Sequence, residues 1–263
     1  PYLFSIDLSI TAVLAFSGMA VALLGRDGIV TQPWLCLLLG TLLGLALGSI
    51  NGLLVSKGGM PPIIASIATM TIYRGATYLI SGGAWVSAHQ MTDGFISIAR
   101  GTVFGIPNLV VTVITVSLIA YYFLGHTPTG RKIYAVGDNP NAARFAGINV
   151  NRINFLVYAL SGGICGFSGV LWVSRYASAQ SNAAVGFELQ AVASCVIGGV
   201  LISGGSGSVP GVLLGSLLLS VIVNALAVAR VNPFWRMAIQ GVIILVAVVI
   251  DTMMSRRIGK REA

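Results

Sequence analysis

The chain has 263 residues, of which 56% are hydrophobic and only 8% charged, whereas soluble domains carry roughly a quarter of their residues as charges. So few ionised groups cannot cover so much apolar surface in water, which excludes most soluble folds and makes lipid the solvent. The net charge of +8 marks a membrane surface and not a nucleic-acid interface, because no basic stripe interleaved with aromatics sits on a soluble stretch.

A crossing takes ~20 apolar residues for a hydrocarbon core of ~30 Å, so the apolar runs predict an all-α, polytopic transmembrane helical bundle with about eight membrane segments. In chain order the segments are 8–25, 34–55, 61–80, 107–124, 153–174, 189–202, 211–230 and 235–250. With no linker or low-complexity tract, residues 1–263 read as a single transmembrane domain. The second segment carries Gly40, Gly44, Gly48 and Gly52 on one helical face, and Gly207, Gly211 and Gly215 repeat that spacing. Such faces let backbones approach closely, within a chain or between subunits. The sixth segment is short and runs into the Ser-Gly stretch 203–210, as a broken or re-entrant piece would.

Orientation follows from charge. Arg131, Lys132, Arg144 and Arg152 lie in the loop 125–152, and Arg256, Arg257, Lys260 and Arg261 in the tail. Both are expected on the cytoplasmic side, and parity then requires the sixth segment to cross, as two half-pieces if it is broken. The same parity puts the N-terminus on the cytoplasmic side. Trp34, Trp85, Trp172 and Trp235 then fall at the outer ends of their segments, where indoles favour the headgroup level.

Several chemistries have no residues to carry them. The Gly259-Lys260 pair is followed by Arg261, so no P-loop is present and ATP hydrolysis is not expected on this chain. His89 and His126 are far apart, and Cys36, Cys165 and Cys195 are isolated in apolar runs, so neither a metal site nor a disulfide frame is expected. No nucleophile and base stand in a hydrolase pattern. Asp7, Asp27, Asp93, Asp138, Glu188, Asp251 and Glu262 read as lying at segment ends, in loops or in the tail, which leaves no evident site for ion coupling. The polar groups inside segments are mostly neutral. Asn51, Thr69, Arg74 and Asn224 are candidate pathway residues for a polyhydroxylated solute, each with the plainer alternative of bonding one helix to another or, for Arg74, of snorkelling outward.

The loop 125–152 contains a bounded short helix: Asn139 as N-cap, Pro140 at N1, an Ala-rich turn, and Gly147 to end it. About ten ångströms of helix is too short to be stable alone and needs a docking surface, either its own bundle or a partner. From Gly130-Arg131 through Gly137, Asn139, Ala142, Ala143, Gly147 and Ile148, this run resembles the bacterial ABC importer permeases for ribose, xylose, rhamnose and autoinducer-2. Ile6-Asp7-Leu8-Ser9, Gly186-Phe187-Glu188-Leu189, Gly198-Gly199 and Ser203-Gly204-Gly205-Ser206-Gly207 are similar to the same family's pattern in the same order.

The resemblance implies a permease subunit in the bacterial inner membrane, with no cofactor of its own. ATP and Mg would sit on a separate cytoplasmic ATP-binding subunit. The further partners implied are a periplasmic sugar-binding protein and a second permease subunit, identical or paralogous. It also implies that Asn139, Ala142, Ala143, Arg144 and Gly147 form the coupling helix that meets the ATPase. Relatives have about ten spans and a Gly-Gly where this chain has Phe4-Ser5, so N-terminal sequence is expected to be missing. The stretches 81–86 and 172–176 look closest to rhamnose or autoinducer-2 permeases. The rival reading is an ATP-independent carrier or facilitator for a neutral polar solute.

Overall fold

The computed structural model describes residues 6–202 and 204–232, together with 235, 238, 239, 241, 242, 245 and 249. The expected segment 235–250 is therefore described only at isolated positions, and the basic tail lies outside the described residues. In chain order the elements are α1 (Ile10–Arg26), α2 (Pro33–Ser56), α3 (Pro62–Ser81), β1 (Val86–Ser87), a 3₁₀ turn at Ala88–Gln90, α4 (Asp93–Arg100), β2 (Thr102–Val103) and β3 (Ile106–Pro107). They continue with α5 (Asn108–His126), α6 (Pro128–Asp138), α7 (Pro140–Phe145), α8 (Val150–Tyr176), β4 (Ser178–Ala179), α9 (Phe187–Ile197) and α10 (Val209–Val228). Proline stands in the first turn of α2, α3, α6 and α10, where its missing N–H costs nothing.

Among the described residues, five helices, α2, α3, α5, α8 and α10, are long and apolar enough to cross a membrane. The expected count of about eight segments is not confirmed among the described residues. α1 has 17 residues and α9 only 11. At ~1.5 Å per residue α9 covers ~16 Å, half a hydrocarbon core, so this single helix is not a crossing by itself. It stops at Gly198-Gly199, with Gly199 at φ +81°, a conformation that ends a helix.

The chain divides into two compact units, residues 1–119 with 143–188, and residues 120–142 with 189–263. In the first unit α2 lies along α8 with almost no side chains between them. A Cβ on Gly44 would meet the carbonyl of Gly162 and the backbone of Gly166, one on Gly48 would meet Tyr158 and Gly162, and one on Gly166 would meet Gly40 and Gly44. The glycine face of α2 therefore packs within the chain, against a matching glycine face of α8. α1 joins the same seam, where Gly18 faces Gly169 and Val173, and Met19, Val21, Cys36, Val170 and Val173 fill the adjoining core.

β1 pairs antiparallel with β4, Val86 opposite Ala179, which ties the chain just after α3 to the chain just after α8. α4 is seated on α8 through Ser174, whose hydroxyl accepts from Ala99 N at 2.9 Å and donates to Ile96 O at 3.1 Å. In the second unit, Gly211 and Gly215 of α10 pack on Gly198 and on the carbonyl of Ser194 of α9. The Tyr134 hydroxyl of α6 donates to Gly207 O at 3.0 Å, and Gly137 lies against Gly205.

Candidate functional site

Two groupings stand out. The first is the short helix α7. The side-chain oxygen of Asn139 accepts from the N–H groups of Asn141 and Ala142, both at 3.0 Å, so it satisfies two of the donors that a helix start leaves open. At the other end Gly147, at φ +80°, donates to Arg144 O at 3.0 Å and Ile148 N donates to Ala143 O at 2.9 Å. These paired bonds are the Schellman closure, which needs a residue free to take positive φ at the Gly147 position. Asn149 then caps α8 by accepting from Arg152 N at 3.0 Å. Only residues 146–149 separate the end of α7 from the start of α8, the helix that packs on α2 through the glycine seam.

Asn139, Ala142, Arg144 and Gly147 are exposed, whereas Ala143 is buried. Of the five residues the resemblance assigns to coupling, Ala143 is thus turned inward. Phe145 was not singled out from the sequence, yet it is 93% exposed on this helix. An aromatic ring next to Arg144 in an otherwise small and polar helix was the signal that could have marked it.

The second grouping lies in the first unit, around the start of α1. Asn51 is 1% exposed; its amide donates to Ser9 Oγ at 2.6 Å, and its carbonyl oxygen lies 3.3 Å from the Tyr73 hydroxyl. Ser9 Oγ donates onward to Asp7 Oδ1 at 2.7 Å. Asn51 thus binds α2 to α1 and α3. Thr69 is buried, with its hydroxyl on the carbonyls of Ala65 and Ser66. Asn224 is exposed on α10, in the second unit. Of the four candidate pathway residues, Asn51, Thr69 and Arg74 are in the first unit, and only Arg74 among those carries an ionised group.

Arg74 does not snorkel. Its Nη1 donates to Ala183 O at 2.6 Å and its Nη2 to Thr11 Oγ1 at 3.2 Å. Thr11 passes the connection on by donating to Glu188 Oε2 at 2.9 Å, and Glu188 Oε1 accepts from Gly186 N at 3.2 Å. A cation and an anion are thus linked through one buried hydroxyl, between α3, α1 and the first turn of α9, where a carboxylate is favoured by the helix dipole. Both acids stand at helix starts, as read from the sequence: Asp7 just ahead of α1, accepting from Ser9, and Glu188 in the first turn of α9, accepting from Thr11 177 residues away.

Residues 3–248 match the family model described as branched-chain amino acid transport system, permease component. The chain is 39% identical over 246 residues to the ribose import permease protein RbsC of Bacillus subtilis (strain 168), covering 94% of this chain and 76% of that protein. It is 36% identical over 252 residues to the D-allose transport system permease protein AlsC of Escherichia coli (strain K12), covering 95% and 76%. With the L-arabinose transport system permease protein AraH of the same strain it shares 33% over 245 residues, covering 93% and 74%. No solved structure matches the chain significantly.

Proposed function

Because the chain belongs to the family of transport-system permease components, we propose that it is the membrane-spanning subunit of a binding-protein-dependent ABC importer for a neutral monosaccharide or related polyol. Two such subunits, identical or paralogous, form the pathway in the bacterial inner membrane with both termini cytoplasmic. A periplasmic sugar-binding protein delivers solute, and a cytoplasmic ATP-binding subunit supplies the energy through α7. Alternating access then comes from rigid-body movement driven by ATP-dependent closure.

The observation that carries this reading is similarity, over nearly the whole chain, to permeases named for ribose, allose and arabinose. The α7 helix, capped by Asn139 and four residues from the start of α8, with Arg144 and Phe145 exposed, supports it as the contact point. Rhamnose and autoinducer-2, suggested by the stretches 81–86 and 172–176, belong in the substrate panel beside ribose, allose and arabinose.

The test is uptake by vesicles reconstituted with the permease and the ATP-binding and binding proteins encoded beside it. Accumulation of one of these sugars only when all components and ATP are present supports the proposal. Accumulation by the permease alone, driven by an ion gradient, would establish the carrier reading instead.

A further inference from the structure

Residues 180–186 follow β4 as a run of turns without helix or strand and meet α3 at two points. Ser181 Oγ sits 2.9 Å from Ser81 Oγ at the end of α3, and Ala183 takes the bond from Arg74, seven residues further in. The segment ends at Glu188, bonded to Thr11. Arg74 stands about 10 Å along α3 from its end at Ser81, in a helix long and apolar enough to cross a membrane, so the start of α9, joined to it through Thr11, lies beside the middle of that helix. Yet Asn182, Val185 and Gly186 are exposed. Irregular backbone at this depth has N–H and C=O groups that hydrocarbon cannot satisfy, and it is tolerated only inside protein or against water.

The exposed side of α3 is divided in the same place. Turning 100° per residue, Thr71, Arg74 and Tyr78 fall within about 60° of one another, continuing the line of the exposed Ile64 and Ile67 that precede them on α3, while Ala68, Ile72 and Leu79 form the strip beside it. Thr71 and Tyr78 are exposed and Arg74 is half-buried. Ile72 and Leu79 are more exposed still, at 63% and 83%. The second strip suits lipid. The first, with a guanidinium in it, does not.

We propose that the Thr71–Arg74–Tyr78 strip and the 180–188 segment line a water-filled passage in which a neutral hydroxylated solute exchanges hydrogen bonds with Arg74 and Glu188. One fixed cation and one fixed anion, joined through Thr11, give the wall no net charge with which to select an ionic solute, and offer donors and acceptors to vicinal hydroxyls. Arg74 has five N–H donors, and the bonds to Ala183 and Thr11 engage two of them. This inference rests on the permease reading and adds the wall that the solute touches.

The test uses the full reconstituted complex with Cys36, Cys165 and Cys195 replaced by alanine. Thr71→Cys and Tyr78→Cys are compared with Ile72→Cys and Leu79→Cys for reaction with a charged, impermeant methanethiosulfonate reagent. The expected result is about tenfold faster modification on the first strip, with a rate that shifts about threefold between the nucleotide-free and vanadate-trapped complex. In the same vesicles, Arg74→Gln and Glu188→Gln raise the half-saturating concentration for sugar uptake, while ATP hydrolysis persists. Equal modification of the two strips, nucleotide-independent rates, or Tyr78→Cys cross-linking one copy of the chain to another would overturn the proposal. ATP hydrolysis and uptake by the parent complex are read separately, so loss of the importer reading is distinguishable from loss of this one.

Discussion

Arg74 of α3 reaches Thr11 of α1, Nη2 to Oγ1 at 3.2 Å, and the same hydroxyl donates to Glu188 Oε2 at 2.9 Å. Thr11 is buried and is the single atom bridge between the two charges. Thr11→Val keeps the shape and removes both bonds. It leaves a guanidinium and a carboxylate each short of a partner, which costs about 1–3 kcal/mol. Thermal unfolding in detergent is expected to fall by several degrees for Thr11→Val and to stay near the parent for Thr11→Ser.

The α2–α8 seam has no room for side chains. Gly44→Leu places a side chain against the Gly162 carbonyl and the Gly166 backbone, which cannot retract. Overpacking of this kind costs about 1–3 kcal/mol or more, and the expected outcome is loss of folded protein from the membrane fraction. Gly75→Ala, at a helical glycine with open space around it, is the matched control and should accumulate normally. Gel-filtration profiles of the solubilised variants measure this.

Asn51 is enclosed by Ser9 and Tyr73. Asn51→Leu removes the amide that donates to the Ser9 hydroxyl and the oxygen that accepts from Tyr73, leaving Ser9 Oγ short of a donor inside the protein, at a cost of about 1–3 kcal/mol. Its effect is expected in the melting temperature, with little change in the sugar concentration giving half-maximal uptake. A change confined to the latter would make Asn51 a solute contact.

Gly147 holds φ +80° and donates to Arg144 O. Gly147→Pro removes that N–H and forces φ to about −65°, so the Schellman closure is lost and α7 is no longer held to α8. ATP hydrolysis by the complex is expected to continue while uptake per ATP falls at least several-fold, by analogy with the loss of a helix stop. Ala143→Glu has the same expected direction for another reason: Ala143 is buried, and a carboxylate there displaces the helix. Uptake and phosphate release measured on the same vesicles give the ratio.

The long apolar runs made α2, α3, α5, α8 and α10 readable, because hydrophobicity over ~20 residues is a local property. α4 and α6 were not, since eight and eleven residues with mixed polarity look like loop until a surface such as Ser174 seats them. The sixth segment was legible as short and broken or re-entrant, but its end was set at 202 because apolar composition continues past Ile197 to Leu201, while the chain has already turned at Gly199. Arg74 was visible as a charge in an apolar run. Its partners were not, for Thr11 and Ala183 are 63 and 109 residues away, and Thr11 lies 177 from Glu188. Asn51 was visible as polar, but only packing revealed that its groups are spent on α1 and α3.

The most direct measurement is cross-linking from Phe145, the exposed ring of α7. Phe145→Cys in the full complex, in a background freed of Cys36, Cys165 and Cys195, is treated with a short bifunctional thiol reagent against single cysteines placed on the ATP-binding subunit. The account predicts a specific cross-link that couples loss of uptake to its formation. Modification of Phe145→Cys only by a reagent confined to the external side of the membrane would contradict it.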